Sequence, residues 1–94
     1  MINELEKKTL LVILEEMSEV QHIICKIYNY GWENWHPADV ERTSNISLLE
    51  KELGHLLHAI DLLVKNSKID SMKIDFHKEI KSRDFFKWRK DYEV

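Results

Sequence analysis

The stretch "SLLEKELGHLLHAIDLLVK", residues 47–65, decides the fold. Its apolar residues, Leu48, Leu49, Leu53, Leu56, Leu57, Ile60, Leu62, Leu63 and Val64, recur at three and four rather than at two, which is the period of a helix. On a wheel of about 100° per residue they cover more than half the circumference, so this helix is expected to be buried on two sides. Glu52 and His55 project from within the apolar sector, flanked by Leu48, Ala59 and Leu63. Glu50, Lys51, His58 and Asp61 fall on the polar remainder, where a solvated face accounts for them.

The same period runs upstream. Leu10, Ile13, Met17, Val20, Ile24 and Ile27 fall along one seam, widened on one side by Val12 and Ile23. Asn3, with Glu6 three residues on, is an N-cap signal, and Gly31 is a C-terminal one, so a first helix is expected from about residue 3 to about residue 30. The connection that follows, "WENWHPADVERTS", holds two of the three tryptophans and the only proline. It is long for a helix hairpin in a small domain, and long structured loops are often functional. Ser44 or Asn45 can cap the second helix, which should end near Lys65. A third is expected from Asp70 or Ser71 with Ile69, Met72, Phe76 and Ile80 on one stripe, after which the pattern slips toward a bend or a fourth short helix. Two glycines and one proline in 94 residues leave little else to interrupt helix. The fold class is therefore all-α: one domain over residues 1–94, a helical hairpin plus one or two C-terminal helices. The second helix carries more apolar girth than one chain can cover, which predicts self-association into a four-helix-bundle-type dimer or a tetramer.

Composition excludes several classes of function. With 14 Lys+Arg against 17 Asp+Glu the net charge is -3, so no general basic field gathers nucleic acid or an anionic membrane, and no stable binding to either is expected. The tail "KSRDFFKWRKDY", residues 81–92, is locally basic and aromatic, and a solvated terminal helix accounts for that too. Cys25 is the only cysteine, which rules out an intramolecular disulfide and a Cys-rich zinc site, and it is expected to be a small core residue. The longest aliphatic run, residues 10–14, is far short of the roughly 20 needed to span a bilayer, and no signal-peptide pattern precedes it, so a cytoplasmic setting is expected.

Two pairs of ionisable residues, Glu16 with Glu19 and Glu52 with His55, stand in or beside the apolar sectors. Glu16 points into the widened arc of the first helix, between Ile27 and Ile23. Glu19 lies at the arc's margin beyond Val12, and Glu15 points further toward solvent. Burying ionised carboxylates without partners costs several kcal/mol, so a converging group requires a cation or protonation. Glu16 with Glu19 on one helix and Glu52 with His55 on the next could supply four ligands to a divalent ion, as carboxylate sites in helical bundles do. An inter-helix ion pair with Lys26 or Lys51, or a core histidine bonded to Glu52, would also satisfy the carboxylates.

These residues resemble the MazG-like all-alpha nucleoside triphosphate pyrophosphohydrolases, whose signature is EExxE followed downstream by ExxD. "EEMSE", residues 15–19, looks like the first half and "ELGH", residues 52–55, like the second. The likeness extends to the lysine and "YG" that end the first helix, to Asn45 and to the basic aromatic tail, and covers roughly residues 10–92. It implies hydrolysis of a nucleoside triphosphate to a monophosphate and pyrophosphate with Mg2+ or Mn2+. Glu16, Glu19 and Glu52 would then be metal ligands and Glu15 a carboxylate that orients water, while Lys26, Lys51, Lys81 and Arg83 are candidates for holding phosphate. His55 departs from the pattern, standing where the family has Asp. One imidazole nitrogen replaces two carboxylate oxygens, which hard Mg2+ prefers. The departure leaves three outcomes: a shift toward Mn2+ or a later transition metal, a weaker Mg2+ site on the three glutamates, or a non-catalytic descendant that binds nucleotide or a protein partner. Trp32 and Trp35 could stack a base or cover the core or a subunit interface, with the latter favoured.

Overall fold

The computed structural model describes residues 1–89, and of Phe86 the backbone alone; residues 90–92 of the basic tail lie outside the described residues. Among the described residues the only regular structure is three helices, α1 (Glu4–Tyr30), α2 (Asn45–Asn66) and α3 (Ser71–Trp88). Each starts on the cap its sequence offers. The Asn3 side chain accepts the Glu6 N–H at 2.8 Å while the Asn3 N–H donates to Glu6 Oε1 at 3.1 Å, a reciprocal capping box. Ser44 Oγ accepts the Ser47 N–H, and Asp70 Oδ1 accepts the Met72 N–H. Gly31 ends α1 at φ 93 and ψ 166, a region open in practice to glycine alone.

The chain between α1 and α2 folds back on both helices. Asn45, buried at the start of α2, donates through Nδ2 to the Gly31 carbonyl at 2.9 Å and through its N–H to the Asn34 carbonyl at 2.8 Å. The Ile46 N–H donates to the Trp32 carbonyl at 3.0 Å. Further along, the Asp39 carboxylate accepts the N–H groups of Thr43 at 2.8 Å and Glu41 at 3.0 Å. The two long helices therefore run antiparallel, tied at their shared end.

Their contact is narrow. The buried apolar side chains of their seam are Val20 and Ile23 toward the tied end of α1 and Ala59 and Leu63 toward the far end of α2, and no large side chain of the described residues is wholly buried. α2 is covered on one side rather than two, because the molecule is a slab of 45 × 39 × 16 Å and α3 makes little contact with the hairpin. Leu10, Met17 and Ile24, three positions at heptad spacing on α1, stay exposed, as do Leu53 and Leu57 on α2. Antiparallel helices turn in opposite senses when viewed down one axis, so these two stripes fall on the same side of the hairpin. Glu19 and Lys26 of α1 and His55 of α2 fall on the opposite side. The hairpin thus has one apolar face and one face that carries the polar groups.

Two further expectations change. α3 runs unbroken to Trp88, with no bend after Ile80. The apolar period slips there, but residues 81–88 contain neither Gly nor Pro, and Lys87 Nζ pairs with Asp84 at 3.2 Å one turn back. Cys25 is exposed rather than part of the core, since five residues beyond Val20 it turns to the far side of α1. No helix of the described residues is long and apolar enough to cross a membrane.

Candidate functional site

Glu16, Glu52 and His55 meet on the polar face of the hairpin. Each offers one donor atom, and the three donors lie within 4.8 Å of one another. His55 Nδ1 stands between two carboxylates, 3.6 Å from Glu16 Oε2 and 3.5 Å from Glu52 Oε2. Burial grades inward: the His55 side chain is 53% exposed, Glu16 23% and Glu52 12%. Helix spacing produces this order. Glu52 and His55 are one turn apart on α2, and Glu16 projects from α1 into the seam they share.

Glu16 Oε2 is buried with no hydrogen-bond partner among the described residues. An orphaned carboxylate oxygen in that position requires a proton, an ion or a water. Lys51 Nζ reaches Glu52 Oε1 at 3.7 Å, but its own side chain is largely in solvent and it leaves Glu16 unserved. Donors held about 2.0–2.6 Å from one cation lie within about 5 Å of each other, so this group fits a divalent ion. Two oxygens and one nitrogen suit Mn2+ and later transition ions better than Mg2+.

The other expected site residues divide. Glu19, one turn along α1, is exposed and outside the group of three, as is Glu15. Lys26 is half-buried ten residues beyond Glu16 on α1. Lys81 and Arg83 ride on α3, exposed, with Arg83 Nε 3.6 Å from Asp84; neither lines the cavity described next. Trp32 and Trp35 are both exposed, and Trp35 lines that cavity.

A cavity of about 290 Å³ opens at the tied end of the hairpin, lined by Lys26, Tyr30, Asn34, Trp35, His36 and Asn45 among others. The Arg42 guanidinium stands over the Trp35 ring, 5.5 Å from its centroid. His36 Nδ1 accepts the Ala38 N–H at 3.0 Å, which leaves Nε2 as the ring's remaining polar atom. Tyr30, Asn34 and His36 were not singled out by the sequence reading. The available signal was the unusual length and aromatic content of residues 32–44, which marks a functional loop without saying which side chains converge. No family model, no curated protein and no solved structure matches the chain.

Proposed function

We propose that this protein is a metal-dependent nucleoside triphosphate pyrophosphohydrolase of the MazG-like kind, with its metal centre on Glu16, Glu52 and His55. The observation that carries the reading is the convergence of these three donors around an orphaned, buried Glu16 oxygen. Glu16 and Glu52 are two of the three ligands that the EExxE and ExxD likeness implies, His55 stands at the position of the family's Asp, and the three come from two different helices. A divalent ion held there supplies positive charge for phosphate oxygens and lowers the pKa of a water. In the net reaction, water adds at the α-phosphorus, the bond to the bridging oxygen breaks, and pyrophosphate leaves. The chain's own groups have the remaining roles. Glu15, on the exposed flank of α1, orients the attacking water, Glu19 completes the ligand set once substrate draws it in, and Lys26 and Lys51 hold phosphate.

Self-association belongs to the same proposal. Leu10, Met17 and Ile24 on α1 with Leu53 and Leu57 on α2 form an apolar face that lies opposite the metal centre. A second copy set on that face makes a four-helix bundle and leaves the polar face open to substrate.

A specific observation favours a second reading, that of a nucleotide-binding descendant without turnover. Glu19 stands apart and His55 replaces a carboxylate, which leaves the group with fewer hard oxygen donors than the pattern calls for. One experiment separates the two. Titration with Mn2+ and Mg2+, followed by assay of pyrophosphate release over a set of nucleoside triphosphates, is expected to show Mn2+ binding and turnover that Glu52→Gln abolishes. The variant should fold as well as the parent, because it removes a buried negative charge whose only protein partners, Lys51 and His55, are largely in solvent. Metal binding without release on any triphosphate would establish the second reading, and unfolding of Glu52→Gln would make the cluster a structural ion pair.

A further inference from the structure

The cavity at the tied end of the hairpin and the metal centre open on the same face, and ten residues of α1, about 15 Å, separate Lys26 at the cavity from Glu16 at the cluster. We infer that this cavity is the recognition pocket for the planar ring of a nucleoside, with Lys26 at its edge holding the phosphate attached to that nucleoside. The inference deepens the hydrolase reading and rests on it for the link to triphosphates, but ring binding itself needs no metal.

Three features point to that ligand. At about 290 Å³ the space is at the lower limit of small-molecule sites, enough for a ring and its immediate substituents. Its walls include Trp35 and Tyr30, flat side chains that stack on heteroaromatic rings, with Asn34, Asn45 and His36 available to the polar edge of a ring. Lys26 is half-buried, and no acidic side chain of the described residues pairs with it. A cation held among aromatic walls without a counter-ion selects a ring that carries its own negative charge. Arg42 over the Trp35 ring adds a second positive group at the same end.

Glu19 gives the inference a sharper form. It lies two turns before Lys26 on the same side of α1, between the cavity and the cluster. A monophosphate is served by Lys26 alone, but a triphosphate brings more negative charge toward Glu19 and Glu16, where it is repelled unless a divalent ion is present. Nucleoside monophosphates should therefore bind the metal-free protein, and triphosphates should gain affinity only when the ion is added.

The test uses the full chain stripped of divalent ions, with calorimetry and the indole N–H resonance of Trp35, assigned from its loss in Trp35→Leu. The probes are nucleoside 5′-monophosphates, the parent nucleosides and ribose 5-phosphate. Monophosphates are expected to shift the Trp35 resonance, and ribose 5-phosphate is not. Lys26→Met should weaken monophosphates about tenfold or more and leave nucleosides unchanged, as loss of a charge-assisted hydrogen bond does. Trp35→Leu should weaken both by a similar factor, with Trp35→Phe recovering most of it. The inference is overturned if monophosphates leave the Trp35 resonance in place at millimolar concentration, if ribose 5-phosphate binds as well as they do, or if Lys26→Met acts equally on nucleosides. Triphosphates with Mn2+, compared between the parent and Glu52→Gln, report on the hydrolase reading separately. Equal affinity in both proteins would remove the metal link and leave the ring pocket standing.

Discussion

His55 sets the chemical character of the proposed metal centre. Its ring lies at the mouth of the cluster, half in solvent, with one nitrogen near both carboxylates. An aspartate at this position would bring a second oxygen and a negative charge to the same place on α2. His55→Asp is therefore expected to strengthen Mg2+ binding and raise Mg2+-dependent turnover, while the parent prefers Mn2+; metal titrations read beside pyrophosphate release check both. No gain in Mg2+ affinity would mean that the site's weakness lies elsewhere, Glu19 being the first place to look. The triad was legible in the sequence because a carboxylate inside an apolar sector is a local pattern, visible on one helix at a time. The exclusion of Glu19 was not. It depends on how α1 is rotated against α2, and the apolar seam of α1 is broad enough to allow several rotations. The contact settles on Val20 and Ile23. That brings Glu16 into the interface and leaves Glu19 at its edge.

The connection between α1 and α2 positions the cavity, and two groups hold it. Asn45 ties α2 to Gly31 and Asn34, so Asn45→Ala leaves two carbonyl-facing contacts reduced to one and a void beside the cavity. The expected loss is about 1–3 kcal/mol of stability, measured by urea unfolding. Asp39 holds the loop's far half. Its carboxyl lies below the ordinary value of 3.8 because the Thr43 N–H and hydroxyl, then the Glu41 N–H and the nearby His36, favour the charged form. A depressed native pKa stabilises the loop fully above the ordinary value, and that contribution is lost as pH falls through the native one. The Thr43 and Glu41 amide resonances are expected to hold from neutral pH to about pH 4 and to move together below it; Asp39→Asn should abolish the transition. The starts of all three helices and the ends of α1 and α2 could be read beforehand, since Asn3, Gly31, Ser44 and Asp70 act through bonds a few residues long; the end of α3 could not. The cavity could not, because Lys26, Trp35 and Asn45 meet only once the loop has folded back across the helix ends.

At the scale of the whole molecule the hairpin is unfinished. Among the described residues four buried apolar side chains, two of them β-branched and one an alanine, make a thin core, while α1 and α2 expose an apolar stripe and Ile69, just before α3, and Met72 and Phe76 on it are uncovered. A chain of this size that buries so little is marginal by itself. The proposed association through the Leu10, Met17, Ile24, Leu53 and Leu57 face would remove that surface from water and place the Glu16, Glu52 and His55 clusters on the outside of the resulting bundle. Sedimentation at micromolar concentration is expected to show a dimer or tetramer and no folded monomer. Leu57→Lys should break it, since Leu57 is the most exposed of the α2 stripe and a lysine ammonium there would face apolar side chains of the second copy. Because the polar face lies on the other side, the variant's dissociation should be accompanied by loss of helix and of cooperative unfolding, with metal binding lost only as the fold is lost. A Leu57→Lys protein that stays monomeric, fully helical and cooperatively folded would show that the thin core suffices, and the apolar stripe would then need another explanation.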